Sequence, residues 1–185
     1  ILESMPQEKQ TLLFSATLPK NIIRVAQKYL KSPEQVTIGK TCSPAKNIKQ
    51  DVVYLSQRDK YSQLLTQLEQ REGSVIVFVK TKLGAQKIAD NLQRNNHYAD
   101  SIHGDLRQQK REKVIRAFRQ QKYRIMVATD IAARGLDIPH IEHVINYDLP
   151  QCPEDYVHRI GRTARAGAKG SAVCFVSPAE RRMWG

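Results

Sequence analysis

At 185 residues the chain is long enough for one full hydrophobic core and a smaller second piece. Hydrophobic side chains at 41% and charged ones at 26% are those of a folded globular chain, and no run of about 18 apolar residues offers a membrane span. Net charge is +12, with 8 basic and 3 acidic side chains already in residues 1–49. The excess is spread along the chain, which favours a polyanionic partner, nucleic acid first, over a membrane surface. Cys42, Cys152 and Cys174 are an odd count without C-x-x-C spacing, which argues against a disulfide framework or structural zinc and fits a reducing, cytoplasmic setting. His140 and His143 lack neighbouring ligands at matching spacing, so no metal site is expected. The opening Ile-Leu-Glu-Ser-Met-Pro has no signal pattern and reads as mid-protein sequence.

Residues 1–38 read as strand, helix, strand. Thr11 to Phe14 is a short apolar run. Pro19 opens a helix with Ile22, Ile23, Ala26, Tyr29 and Leu30 at helical spacing, and Gln35 to Ile38 reads as a strand. Residues 39–49 are polar and aperiodic, a linker. Gly39-Lys40-Thr41 ends like a P-loop, but Glu34 stands where the first glycine is needed, so it is rejected.

From residue 50 onward strands and helices alternate. Strands are expected at 52–55, 75–79, 99–102, 124–128, 143–147 and 172–176. Helix stripes run through Tyr61–Leu68, Ala85–Leu92 and Val114–Phe118, and Pro153 starts a helix carrying an arginine run. Val75 to Val79 is apolar throughout, as in a strand covered on both faces. This alternation implies an α/β fold with a mainly parallel sheet between helices.

The chemistry concentrates between Ala128 and Gly167. Arg159, Arg162 and Arg165 recur at three-residue steps, so on a helix they share one face. That pattern fits either a solvated basic face or a phosphate clamp. His158 adds a titratable group beside them, and Gly161 and Gly167 allow close backbone approach. Upstream, Arg134-Gly135-Leu136-Asp137 follows a strand-like run, where open parallel sheets bind ligands.

Ala128 to Ile138 and His158 to Gly167 resemble motifs V and VI of DEAD-box RNA helicases. Ser15-Ala16-Thr17 is similar to motif III, and Val75 to Val79 with Lys80-Thr81-Lys82 to motif IV and the segment after it. His103-Gly104-Asp105 with Gln108 and Arg111 resembles the family's HGD and QxxR elements. The ordered set implies a RecA-like three-layer α/β/α sandwich. Residues 50–185 would be the second RecA-like domain and residues 1–38 the end of the first, ATP-binding one.

The resemblance also implies roles. Arg162 and Arg165 would act as arginine fingers on the γ-phosphate of ATP, with His158 linking the nucleotide to the other domain. Asp137 would accept from the ribose hydroxyls and Gly135 would admit the nucleotide. Thr81, Gly104, Asp105 and Thr129 would hold the RNA backbone without reading bases, and Ser15 and Thr17 would relay between the two sites. Each residue has a plainer alternative. Thr81 or Asp105 would cap a helix, Asp137 would pair with Arg134, and Gln108 and Arg111 would be solvated or orienting groups. Ala164 stands where the family often has glycine, and alanine's helix preference is expected to preserve the arginine spacing. The sequence contains neither G-x-x-x-x-G-K-[ST] nor Asp-Glu-Ala-Asp. The resemblance therefore implies a piece of an ATP-dependent helicase whose first domain holds Mg²⁺. Alone it would be nearly inactive, monomeric and independent of membranes. A non-catalytic RNA-binding or regulatory module remains the alternative.

Overall fold

The computed structural model describes residues 5, 6, 8–15, 20–37, 47–136, 138 and 140–184. Most of the expected linker, the P-loop-like run, Ala16, Thr17, Cys42 and Asp137 lie outside the described residues. The chain divides into two units, Ile1–Ser43 and Pro44–Gly185.

The first unit contains one described helix, α1 (Lys20–Tyr29). The strands expected at 11–14 and 35–38 do not form among the described residues, which hold no regular element there. Leu12 is 66%, Phe14 88% and Val36 82% exposed. An apolar run becomes a strand only where a neighbour takes up its backbone groups.

The second unit is a six-stranded sheet in the order β1-β6-β5-β2-β4-β3, every pair parallel. The strands are β1 (Ile48–Tyr54), β2 (Val75–Phe78), β3 (Ala99–Ile102), β4 (Ile125–Ala128), β5 (His143–Asn146) and β6 (Gly170–Val176). Ile48 and Lys49 belong to β1, so the expected linker runs two residues too far. The helices are α2 (Lys60–Glu69), α3 (Lys82–Arg94), α4 (Gln108–Arg119), α5 (Asp130–Ala133), α6 (Pro153–Ile160) and α7 (Arg181–Trp184). The fold is the RecA-like α/β sandwich.

Alternation along the central strands builds the layers. In β2, Ile76 and Phe78 face one core with Met126, Ala128, Val114, Phe118 and Ile160. Val75, Val77 and Val79 face the other with Leu64, Leu68, Ala85, Ile88 and Leu92. Helices α4 and α6 therefore cover one face and α2 and α3 the other. All of β2 and β4 is buried, whereas edge strand β1 alternates toward solvent. A run buried on both faces needs apolar residues at every position, which is why 75–79 lacks period two.

His143, at the start of β5, ties the sheet to the loop before β2. Its Nε2 lies 2.8 Å from the Glu72 carbonyl and its Nδ1 2.8 Å from Ser171 Oγ. A carbonyl only accepts, so Nε2 carries the proton and Nδ1 accepts from the hydroxyl. Burial pushes its pKa down, reinforced by the Arg71 and Arg124 charges and opposed by the Glu72 bond and Glu142. The unfolded chain thus binds this proton more readily, its histidine titrating near about 6.5. Stability is expected to be complete above that pH and to fall as the pH drops through and below it toward the folded-state value. Thermal melts between about pH 7.5 and 5.5 should show this slope, and His143→Gln should flatten it. Equal slopes in both proteins would refute the assignment.

Candidate functional site

The carboxyl ends of β5, β2, β4 and β3 lie side by side along one sheet edge, stitched by backbone bonds. Tyr147 and Asp148 N–H donate to the Phe78 carbonyl at 3.1 and 3.2 Å, Val79 N–H to Ala128 O at 3.0 Å, and Thr129 N–H to Ile102 O at 3.2 Å. The chain crosses β2 between β4 and β5, so the strand order changes direction there. Open parallel sheets bind ligands in the crevice at such a point.

A small open cleft lies there, lined by Phe78, Asp130, Ala133, Arg134, Asp155, His158, Arg159 and Arg162. Three guanidiniums against two carboxylates leave an excess of positive charge, favourable to an anion. Arg162 Nη1 donates to the Leu136 carbonyl at 2.9 Å. Arg134 Nη2 lies 2.9 Å from Asp155 Oδ1, and His158 Nδ1 is 3.9 Å from the same oxygen. Arg134 therefore has its carboxylate on α6; Asp137, the partner allowed by sequence, lies outside the described residues.

Arg159 does not share a face with the other two arginines. Its side chain is 2% exposed. Nε and Nη2 donate to the two oxygens of Asp130 at 2.6 and 2.8 Å, and Nη1 to Asn146 Oδ1 at 3.1 Å and the Asp148 carbonyl at 2.6 Å. Its guanidinium also stacks 5.1 Å from the Phe78 ring centre. The three-residue spacing fails because α6 stops at Ile160, with Gly161 as its C-cap. Arg165 begins a separate 3₁₀ turn and donates through Nε to the Gly161 carbonyl at 3.2 Å. It is not among the residues lining the described cleft.

Three more loops complete the edge. Thr81 is the N-cap of α3, its Oγ1 accepting from Gly84 N–H at 3.0 Å. Gly104 and Asp105 follow β3. Asp105 pairs with Lys82 Nζ and does not cap α4, whose N-cap is Arg107. Thr129, 8% exposed, precedes α5. In the sheet its loop lies between the other two. Arg111 Nη2 donates to the Ala132 carbonyl at 2.8 Å, joining α4 to α5, while Gln108 reaches Glu112 on its own helix. Ser15, in the first unit, is exposed coil.

Among the described residues no group of three His, Cys, Asp or Glu side chains is placed to hold a metal ion. No described helix is long and apolar enough to cross a membrane. Burial raises the thiol of Cys152 and pushes Cys174 up to about 12, so neither is a ready thiolate.

The sequence pattern of the helicase conserved C-terminal domain matches residues 57–167. The chain belongs to this helicase family. The DEAD-box ATP-dependent RNA helicase CshA of Bacillus subtilis is 44% identical over 184 residues, which cover 99% of this chain and 37% of that protein. The chain thus spans little more than a third of that curated relative. The solved DEAD-box protein SrmB of E. coli, bound to regulator of ribonuclease activity A, is 36% identical with a TM-score of 0.71, over 75% of this chain and 82% of that one. Dbp5 of S. cerevisiae, bound to RNA and ADP BeF3, is 34% identical with a TM-score of 0.85, over 95% of this chain and 47% of that one. The described fold is that of a DEAD-box C-terminal RecA-like domain.

Two local features of this DEAD-box domain follow from its backbone. Gly135 has φ +74°, and an added Cβ would meet no protein atom within 4 Å. Glycine is required there by conformation, not by crowding from the protein. Ala164 also sits in the left-handed region, φ +56° and ψ 32°. Alanine's helix preference is therefore beside the point: the residue lies in a left-handed turn between α6 and the 3₁₀ segment. That conformation costs an L-residue about 1–2 kcal/mol, partly offset by the about 0.4–1 kcal/mol that glycine loses through its freer unfolded state. Ala164→Gly is expected to raise the melting temperature by a few degrees, less whatever packing its methyl contributes. A drop would show that this packing outweighs the strain.

Asp130, Asp155 and Phe78 line the cleft without an individual role expected from the sequence, while Arg134, expected beside Asp137, pairs with Asp155 instead. The i to i+3 spacing of Asp155 and His158 was a usable signal for one of them. The Asp130–Arg159 pairing spans 29 residues and left no local trace.

Proposed function

We propose that this chain supplies the second RecA-like domain of an ATP-dependent RNA helicase of the DEAD-box kind. In this reading residues 1–38 are the end of the first domain. The observation that carries it is Arg162 in an electropositive cleft at the sheet's direction change, on the same edge as the Thr81, Thr129 and Gly104–Asp105 loops. Arg162 and Arg165 meet the γ-phosphate of an ATP held mainly by the first domain, and Asp137 meets the ribose. A guanidinium at transferring phosphoryl oxygens stabilises charge as it spreads. His158 touches the first domain through the nucleotide, and Ser15 and Thr17 relay from that side. Gly135 keeps the turn beneath them open. The first domain would hold Mg²⁺, which would neutralise charge on the phosphates.

RNA lies across the three loops. Helix-start amides and the Thr81 hydroxyl suit phosphate oxygens, while none of these groups is set to read base edges. Binding is then sequence-tolerant and salt-sensitive. Closing both domains on one strand bends it and separates a short duplex. That Dbp5 was solved with RNA and ADP BeF3 together supports placing both ligands on this fold.

The test adds a separately made first RecA-like domain to this chain and follows RNA-stimulated ATP hydrolysis. Activity is expected on mixing and not from this chain alone. Salt-sensitive RNA binding with no hydrolysis on mixing would instead support a non-catalytic RNA-binding module.

A further inference from the structure

Lys60 opens α2 and is fully buried. Its Nζ lies 3.1 Å from Glu180 Oε2 and 3.5 Å from Asp148 Oδ1, with the Tyr147 ring centre at 5.7 Å. Burying an ammonium with carboxylates gives little net stability, since well-packed apolar residues often do as well. The geometry gives it another use. The second oxygen of Asp148, Oδ2, accepts the backbone N–H of Lys80 at 2.9 Å. Lys80 directly precedes Thr81, the cap of α3. Asp148 is itself held at three other points: its N–H donates to Phe78 O, its carbonyl accepts from Arg159, and Oδ1 faces Lys60. Glu180 is fixed in turn, accepting from Ser177 N–H at 2.9 Å and Ser177 Oγ at 2.6 Å.

We propose that Asp148, held in place by Lys60, is a positioning residue for the Lys80–Thr81 loop, so that RNA affinity depends on a carboxylate that never touches RNA. Asp148 turns the Lys80 amide inward, which aims the next amides and the Thr81 hydroxyl at the sheet edge. The same aspartate, through Arg159, is joined to Asp130 beside Thr129. One chain of ion pairs and hydrogen bonds therefore links two of the three edge loops. The proposal rests on the reading that this edge holds RNA backbone.

The experiment uses the 185-residue chain, wild type and Asp148→Ala, with Asp148→Asn as a milder second variant. It measures amide exchange of Lys80 in the free protein and affinity for a single-stranded oligouridylate across a salt series. Asp148→Ala leaves the Lys60–Glu180 pair in place. Loss of the bond should expose the Lys80 amide and weaken RNA binding by up to about tenfold. The direction is diagnostic, because removing a negative charge near a polyanion otherwise tightens binding. Asp148→Asn keeps one acceptor for two donors and should give a smaller loss of the same sign. Unchanged or tighter binding overturns the proposal, whether or not the Lys80 amide becomes exposed. Absence of RNA binding by the wild-type chain overturns the underlying RNA reading and the proposal with it, while unchanged Lys80 exchange in Asp148→Ala overturns only the clip.

Discussion

Arg162→Ala is expected to abolish RNA-stimulated ATP hydrolysis in the reconstituted pair, by about 10³–10⁵-fold, while leaving the fold intact. The magnitude is that of a positioned guanidinium acting on a transferring phosphoryl group. The stability cost is expected to be small beside the rate effect: the half-buried Arg162 donates to the Leu136 carbonyl, and each such hydrogen bond contributes about 0.5–1.5 kcal/mol. Arg162→Lys should restore little, since an ammonium lacks the planar fork that addresses two oxygens at once. Nucleotide binding should weaken far less than turnover does, because the role is confined to the transition state. A loss below about tenfold would remove Arg162 from the reaction, and the finger role would pass to Arg165. Measuring hydrolysis alongside urea midpoints separates these cases.

How much of this was legible in the sequence depended on the range of the interaction. Strands β2, β4, β5 and β6 were legible because each holds an apolar run between polar turns, and burial on both faces leaves that mark locally. The run at 11–14 carries the same mark and forms no strand, because composition does not reveal whether a partner strand exists. α5, four residues long, is too short for a helical period to register. In the cleft, His158 and Arg162 were legible as chemistry at close spacing. Arg159 was misplaced by the same argument, because spacing fixes direction only while the helix continues. Gly161 ends α6 and Ala164 turns left-handed, so the three arginines go three ways. Lys60 was invisible. Its partners are 88 and 120 residues away along the chain, and a lysine at a helix start ordinarily faces water.

The misplaced arginine yields the largest expected effect on stability. Arg159→Ala should destabilise the second unit by roughly 3–5 kcal/mol, the cost of removing one partner from a buried ion pair. The substitution strands the Asp130 carboxylate, Asn146 Oδ1 and the Asp148 carbonyl, which together take up three of its nitrogens. It also removes the cation from the Phe78 ring. Against a typical total of about 5–15 kcal/mol, such a loss removes about a fifth or more of the stability. Arg159→Lys should recover less than half, because one ammonium cannot reach Asp130, Asn146 and the Asp148 carbonyl in the geometry that a guanidinium satisfies. The double substitution Asp130→Ala with Arg159→Met should be milder than Arg159→Ala alone, since it leaves no buried charge without its counter-ion. Urea unfolding of the wild type, Asp130→Ala, Arg159→Met and their double variant reads this as a non-additive cycle. Additivity, or a single-variant loss under about 1 kcal/mol, would mean that solvent reaches Asp130 and that Arg159 is not the tie between α5 and α6. Because that tie runs from the helix that ends just before Arg162 to the loop bearing Thr129, a destabilised Arg159 variant should lose RNA affinity at temperatures where its sheet is still folded, whereas Arg162→Ala should not.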